Sequence, residues 1–244
     1  MTDWWSRMRD RSAVEAQYST TDRLSRRLSI WGPGPEGVDP NVLLRDAIVT
    51  LHPRRAVEIG CGTGALAASV CRVLPSCDYL ATDLSPAMVA ATAAHGVRAE
   101  VSDAGSLPVP DGWADVVVAA WMLYHVPDLD GVLREVARVF APDGTLLAVT
   151  NGDRHLATLL ADVGVGPAQT QFSSENGAAS LREHFGEVSQ RDVETLATFP
   201  DHGAATAYLD TIDPTLGAAL PAFQGPRSDA GFTTIFTARN PRPF

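Results

Sequence analysis

The spacing of apolar residues changes along the chain. Over 10–30, Val14, Tyr18, Leu24, Leu28 and Ile30 keep a broken 3.6-residue period, which predicts a helix. A second helix is expected after Asp39-Pro40, with Val42, Leu43, Ala47, Ile48 and Leu51 on its apolar side; proline suits a helix start because its missing N–H would be unpaired there anyway. Gly32-Pro33-Gly34-Pro35 breaks the two apart. From Arg55 onward, short apolar runs alternate with amphipathic ones. Residues 56–59, 79–82, 97–101, 115–120 and 145–150 read as strands, and 65–74, 86–94 and 130–140 as helices. Strands alternating with helices of this length imply βαβ units and a mostly parallel sheet buried on both faces.

Beyond residue 150 the pattern loosens. Helices are expected at 154–162, 175–185 and 204–212, strands at 188–199 and 232–238, and irregular chain at 214–226. The domain reading is a helical lid over 1–52 and a core over 53–244, in which 151–187 and 200–231 cap the substrate side.

Composition narrows the function. The 244 residues are 45% hydrophobic, enough for a real core, and no apolar run approaches the roughly 18 residues that span a bilayer. The N-terminus lacks a continuous apolar stretch of the secretory kind. Cys61, Cys71 and Cys77 are odd in number and lack CxxC spacing, so neither a disulfide framework nor a metal site is expected, and a cytoplasmic, reducing compartment is. A net charge of −10 disfavours a nucleic-acid partner, since phosphate neutralisation dominates such binding. All 19 basic residues are arginine, which excludes side-chain Schiff-base and lysine-base chemistry.

The chemistry concentrates in Glu58-Ile59-Gly60-Cys61-Gly62-Thr63-Gly64, between a strand and a helix. Glycines there let the backbone turn sharply and approach a ligand. Gly60, Gly62 and Ala65 also satisfy the dinucleotide pattern G-x-G-x-x-G/A. Glu58 argues otherwise, because an acid attracts an ammonium group and repels a pyrophosphate. Asp83 closes the second strand, where a carboxylate accepts both hydroxyls of a ribose. Asp103 follows the third strand, within reach of an adenine amino group.

Together with the 115–120 strand and Leu133-Arg134-Glu135 through Ala141-Pro142-Asp143-Gly144-Thr145-Leu146, these motifs resemble a class I S-adenosylmethionine-dependent methyltransferase, over about residues 54–239. The resemblance implies a Rossmann-like α/β fold: a doubly wound seven-stranded sheet of order 3-2-1-4-5-7-6, strand 7 antiparallel, with helices on both faces. It implies S-adenosylmethionine as cofactor and S-adenosylhomocysteine as product. Gly60, Cys61, Gly62 and Gly64 would line the methionine and ribose, with Glu58 beside them. Asp83 would hold the ribose diol, Leu84 and Met88 would pack near the adenine, and Asp103 and Ala104 would meet its edge. Ala120 and Trp121 would flank the sulfonium, and Tyr18 and Arg27 are candidates for the methionine carboxylate.

The expected reaction is methyl transfer to a small-molecule acceptor, a hydroxyl first, in secondary metabolism. N- or C-methylation and a non-catalytic cofactor-binding scaffold are the alternatives, and the expected assembly is a monomer or homodimer. His125, just past the fourth strand, is the candidate general base, since histidine titrates near neutrality. Tyr124, His155 and Phe172 are candidates for the acceptor pocket, with His184 as a further possibility. The Asn/Asp-Pro-Pro-Tyr segment of amino-methylating DNA enzymes is replaced by Ala119-Ala120-Trp121-Met122.

Overall fold

A computed structural model describes residues 10, 12, 14, 18, 20–167 and 169–243. Of the expected 10–30 helix, residues 11, 13, 15–17 and 19 lie outside these; the rest shows helical backbone at Ser12 and Val14, a turn at Tyr18 and α1 (Thr21–Leu28). In chain order there follow β1 (Trp31–Pro33), α2 (Pro40–Thr50), β2 (Arg55–Ile59), α3 (Ala65–Val73), β3 (Asp78–Asp83), α4 (Pro86–Ala93), β4 (Arg98–Val101), β5 (Ala114–Ala120), a 3-10 turn (Leu123–His125) and α5 (Leu129–Val139). The last part comprises β6 (Phe140–Asn151), α6 (Ala157–Asp162), α7 (Gly177–His184), β7 (Phe185–Phe199), α8 (His202–Ile212), α9 (Pro214–Ala219) and β8 (Arg227–Pro241).

One sheet runs β1-β7-β8-β6-β5-β2-β3-β4. Strands β2 to β6 pair in parallel, and β8 is antiparallel to both β6 and β7. Without β1 this is the expected order 3-2-1-4-5-7-6. The eighth strand adds one to the expected seven and lies at the Gly-Pro break between the two helices expected in 1–52. Trp31, Gly32 and Pro33 pair antiparallel with Ala197, Leu196 and Thr195 at the sheet edge, where proline's missing donor does no harm. A second correction is α9, inside the stretch expected to be irregular. Asp213 caps it, accepting a 2.8 Å hydrogen bond from the Thr215 N–H, with proline in the first turn.

Both sheet faces are covered. Val57, Ile59, Val117 and Ala119 pack with Leu133 and Val136 of α5 and Leu181 of α7; Ala56, Val116, Val118 and Val149 pack with Leu44 and Ile48 of α2 and Ala67 and Val70 of α3. A third cluster joins α6, α8 and α9 to the end of β7 through Leu156, Leu159, Phe199, Leu209 and Leu216. Among the described residues no helix is long and apolar enough to cross a membrane.

Candidate functional site

The carboxyl ends of β2, β3, β5 and β6 open into one cavity of about 1080 Å³, where ligands sit in open α/β sheets. Pockets for one drug-sized ligand occupy roughly 300–1,000 Å³, so this one has room for a nucleoside and a second molecule.

The loop after β2 is a glycine loop for steric reasons. Gly60, Gly62 and Gly64 all have positive φ, at 70°, 55° and 80°. A methyl group on Gly60 would lie 2.8 Å from Met122 Cβ, and one on Gly64 would lie 2.7 Å from Thr92 Cα. The loop amides are spoken for: Cys61 N–H donates to the Thr82 carbonyl at 2.9 Å, Gly64 N–H to the Cys61 carbonyl at 3.0 Å, and Gly62 N–H to Asp83 Oδ2 at 2.9 Å. These three donors are therefore not presented to a ligand.

Asp83 is held at both oxygens, its Oδ1 accepting from Ser85 N–H at 2.9 Å. A carboxylate offers about four lone-pair sites, so these donors leave acceptor capacity for a ligand hydroxyl. Burial raises the Asp83 carboxyl above its usual range, against the backbone donors of Ser85, Gly62 and Leu84. Glu58 is buried and accepts from the Tyr79 phenol at 2.9 Å; burial pushes its carboxyl up to about 8, with the Asp83 charge adding to the rise. Asp103 accepts from Gly105 N–H at 2.9 Å.

At the cavity's other side, the Tyr18 hydroxyl lies 3.0 Å from His125 Nε2, with the two rings edge-on. The Tyr18 carbonyl accepts from Ser85 Oγ at 2.8 Å. Arg27 Nε donates to Thr211 Oγ1 at 2.9 Å and its Nη2 to the Thr211 carbonyl. Trp121 has a positive φ of 55°, and its Nε1 donates to Asn151 Oδ1 at 3.0 Å. Burial pushes the Tyr208 phenol up to about 12 and Tyr124 higher still. His155 stacks on Trp31 with ring centres 4.5 Å apart, and burial pulls its imidazole down to about 4.

Of the residues singled out in the sequence, Tyr18, Arg27, Glu58, Gly60, Cys61, Gly62, Asp83, Leu84, Asp103, Ala104, Ala120, Trp121, Tyr124, His125 and His155 line this cavity. Four do not. Gly64 caps α3 against Thr92, and Met88 is wholly buried in α4. Phe172 is wholly buried against Phe236, at 5.5 Å between centres, because it follows a loop that drops into the core. His184 is buried beside Asp130, with Nε2 at 3.2 Å from Oδ1. Trp31, Asn151, Thr195, Tyr208 and Thr211 line the cavity without having been singled out. Asn151 had a signal, as the polar residue directly after a buried strand; Tyr208 and Thr211 sit on a helix whose apolar spacing reads as ordinary core.

Asp83 with its backbone donors, Asp103 and the cavity beyond them fit a nucleoside cofactor. Residues 57–148 match a family model described as a methyltransferase domain. A malonyl-[acyl-carrier protein] O-methyltransferase of Halorhodospira halophila is 33% identical over 116 residues, 46% of this chain and 39% of that protein. A 23S rRNA (guanine-N(1)-)-methyltransferase of Micromonospora griseorubida, so named provisionally, is 35% identical over 145 residues, 57% of this chain and 45% of that protein. The chain thus spans less than half the length of these two relatives. The solved structure of the YcgJ protein of Bacillus subtilis matches 83% of this chain and all of its own at a TM-score of 0.61 and 16% identity, a likeness of fold. Residues 57–148 are thus similar to a methyltransferase domain, in keeping with the resemblance that the motifs carry.

Proposed function

We propose that this protein transfers the methyl group of S-adenosylmethionine to a hydroxyl oxygen of a small, partly apolar acceptor. The observation that carries this reading is a single cavity that joins Asp83 and Asp103 to the Tyr18–His125 pair. The cofactor supplies, when bound, a methyl group already activated on its sulfonium sulfur. The chain's own residues then have two tasks, alignment and proton removal.

For alignment, Asp83 takes the ribose diol, Asp103 the adenine edge, and the left-handed Trp121 closes the wall beside Ala120. Helix α1 acts as a lid, carrying Leu24 to Gly62 and Arg27 to Thr211. Such orientation is worth on the order of 7–11 kcal/mol. For proton removal, the Tyr18 oxygen accepts the acceptor's hydroxyl proton while its own proton passes to His125 Nε2. The second part of the cavity is lined by Leu156, Leu160, Ile212 and Leu216, which suits an apolar acceptor body. Those side chains and the net charge of −10 favour a small molecule over RNA, although one relative is named for an rRNA base.

The test is incubation with methyl-labelled cofactor and small phenols, sugars, amines and acids. Label is expected on a hydroxyl acceptor. His125→Ala is expected to lower that transfer by roughly 10²- to 10⁴-fold, with S-adenosylhomocysteine affinity by calorimetry unchanged. Label on amines or carbon alone would replace oxygen as the target. Tight cofactor binding with no transfer to any class would leave a scaffold.

A further inference from the structure

His155 lies in the turn after β6, away from the cofactor loop, and two contacts define its ring. Its Nδ1 is 3.1 Å from the Phe232 amide nitrogen and 3.2 Å from the Phe232 carbonyl oxygen. That carbonyl already accepts from Gly152 N–H at 2.9 Å. A backbone N–H has no second role, so pairing it requires Nδ1 without a proton. The tautomer is then fixed, with the proton on Nε2. One face of the ring is covered by Trp31. Trp31 is itself pinned: a methyl group at Gly231 would come 2.3 Å from both its Cζ3 and Thr195 Oγ1, so no larger residue fits between the tryptophan and the strand.

We propose that Trp31 and His155 form a rigid shelf at the far end of the acceptor site, on which a planar acceptor stacks while the neutral His155 Nε2–H donates to a carbonyl oxygen of it. This deepens the methyl-transfer reading and rests on it. Sheet geometry gives the spacing. Trp121 and His125 follow β5, and Phe232, which holds His155, lies on β8; β6 stands between them. Two strand spacings of roughly 4.8 Å separate β5 from β8 by about 10 Å, which sets the donor and the methylated hydroxyl at opposite ends of the acceptor site. The acceptor class is therefore a flat, extended phenol with a ketone or similar oxygen at its opposite end. A low-lying imidazole keeps the donor uncharged, so the shelf selects a neutral carbonyl rather than an anion.

The probes are 4-acetyl-4′-hydroxybiphenyl and 4-ethyl-4′-hydroxybiphenyl, which share the phenol and rings and differ by the carbonyl. Calorimetry on the full chain saturated with S-adenosylhomocysteine is expected to show the acetyl probe binding about tenfold tighter. His155→Phe keeps a ring on Trp31 and is expected to abolish that difference while leaving the ethyl probe and S-adenosylhomocysteine unchanged. Nitrogen-15 spectra of the wild-type protein are expected to show His155 protonated on Nε2. Equal affinities, no binding of either probe, discrimination that survives in His155→Phe, or a proton on Nδ1 would each overturn the proposal. If labelled methyl reached no acceptor class while the acetyl probe still discriminated, only the methyl-transfer reading would fall. If simple phenols were methylated and the probes bound alike, only the shelf would.

Discussion

Glu58 is the penultimate residue of β2, with 2% of its surface exposed and the Tyr79 phenol on one oxygen. Burial raises its carboxyl from 4.5 to about 8, so the native state holds a proton that the unfolded chain has lost over most of that interval. The native state binding more protons means that stability falls as pH rises, by about 1.4 kcal/mol per pH unit. His155 works in the opposite sense. Its pKa is lowered from 6.5 to about 4, so the unfolded chain binds the extra proton and stability is lost as pH falls through that interval. The two slopes oppose each other below about pH 6.5, and Glu58 acts alone from there to about 8. Thermal melts of the unliganded protein are expected to decline over that upper interval, and those of Glu58→Gln to stay level. A decline of equal slope in the variant would remove Glu58 as its source. The acid was readable in the sequence as a group for a ligand's ammonium; its protonation was not, because it depends on burial that only the packed sheet creates, against the Tyr79 hydrogen bond that favours the charged form.

Helix α1 has no fully buried residue, yet the segment it belongs to touches three parts of the site. The Tyr18 carbonyl meets Ser85 at the start of α4, its hydroxyl meets His125, and Arg27 meets Thr211 of α8. Hydrogen bonds to a charged group contribute roughly 1.5–3 kcal/mol, so these contacts hold the lid and do little for the sheet. Arg27→Leu is expected to weaken S-adenosylhomocysteine by about tenfold, mostly through faster dissociation in stopped-flow measurements, with a melting temperature within a few degrees of the parent. A large fall in melting temperature with unchanged dissociation would assign Arg27 to folding instead. Elements of this kind are where sequence reading stops. The parallel strands were legible because 56–59 and 115–120 are largely buried and read as short apolar runs, interrupted by Glu58 in the first and opened by Asp115 in the second. β1 was hidden because two of its three residues, Gly32 and Pro33, signal a break, and only the edge of β7 makes them a strand. β7 and β8 each reach 15 residues, beyond the expected 188–199 and 232–238, because the added residues, such as Glu187, Arg227, Ser228, Asp229 and Arg239, give no regular apolar alternation.

At the scale of the whole molecule, most of the residues proposed for the cofactor and several proposed for the acceptor rest on different cores. The glycine loop, Asp83 and Asp103 hang from strands whose faces are filled by the two sheet clusters. Tyr208, Thr211 and Leu216 hang from the third cluster, built of α6, α8, α9 and the end of β7. The first set was legible because motif spacing and strand ends coincide in it; the second was not, because its residues come from short helices brought together only by the fold, and Phe172, legible as a pocket aromatic, went into the sheet core. This division makes a separable loss of function possible. Leu209 is wholly buried in the third cluster, and truncating a buried leucine costs roughly 2–5 kcal/mol. If the cap opens as a unit of lower stability than the sheet, Leu209→Ala should spend that destabilisation locally. Hydrogen exchange is then expected to speed up across α8 and α9 and to leave β5 and β6 at parent rates. S-adenosylhomocysteine affinity should change by less than about threefold, while methyl transfer to the hydroxyl acceptor identified in the labelling panel falls by tenfold or more, since the cap no longer keeps water from the acceptor side. Uniformly faster exchange over the sheet and the cap alike would show instead that the three clusters unfold together, and the two halves of the site would then share one stability.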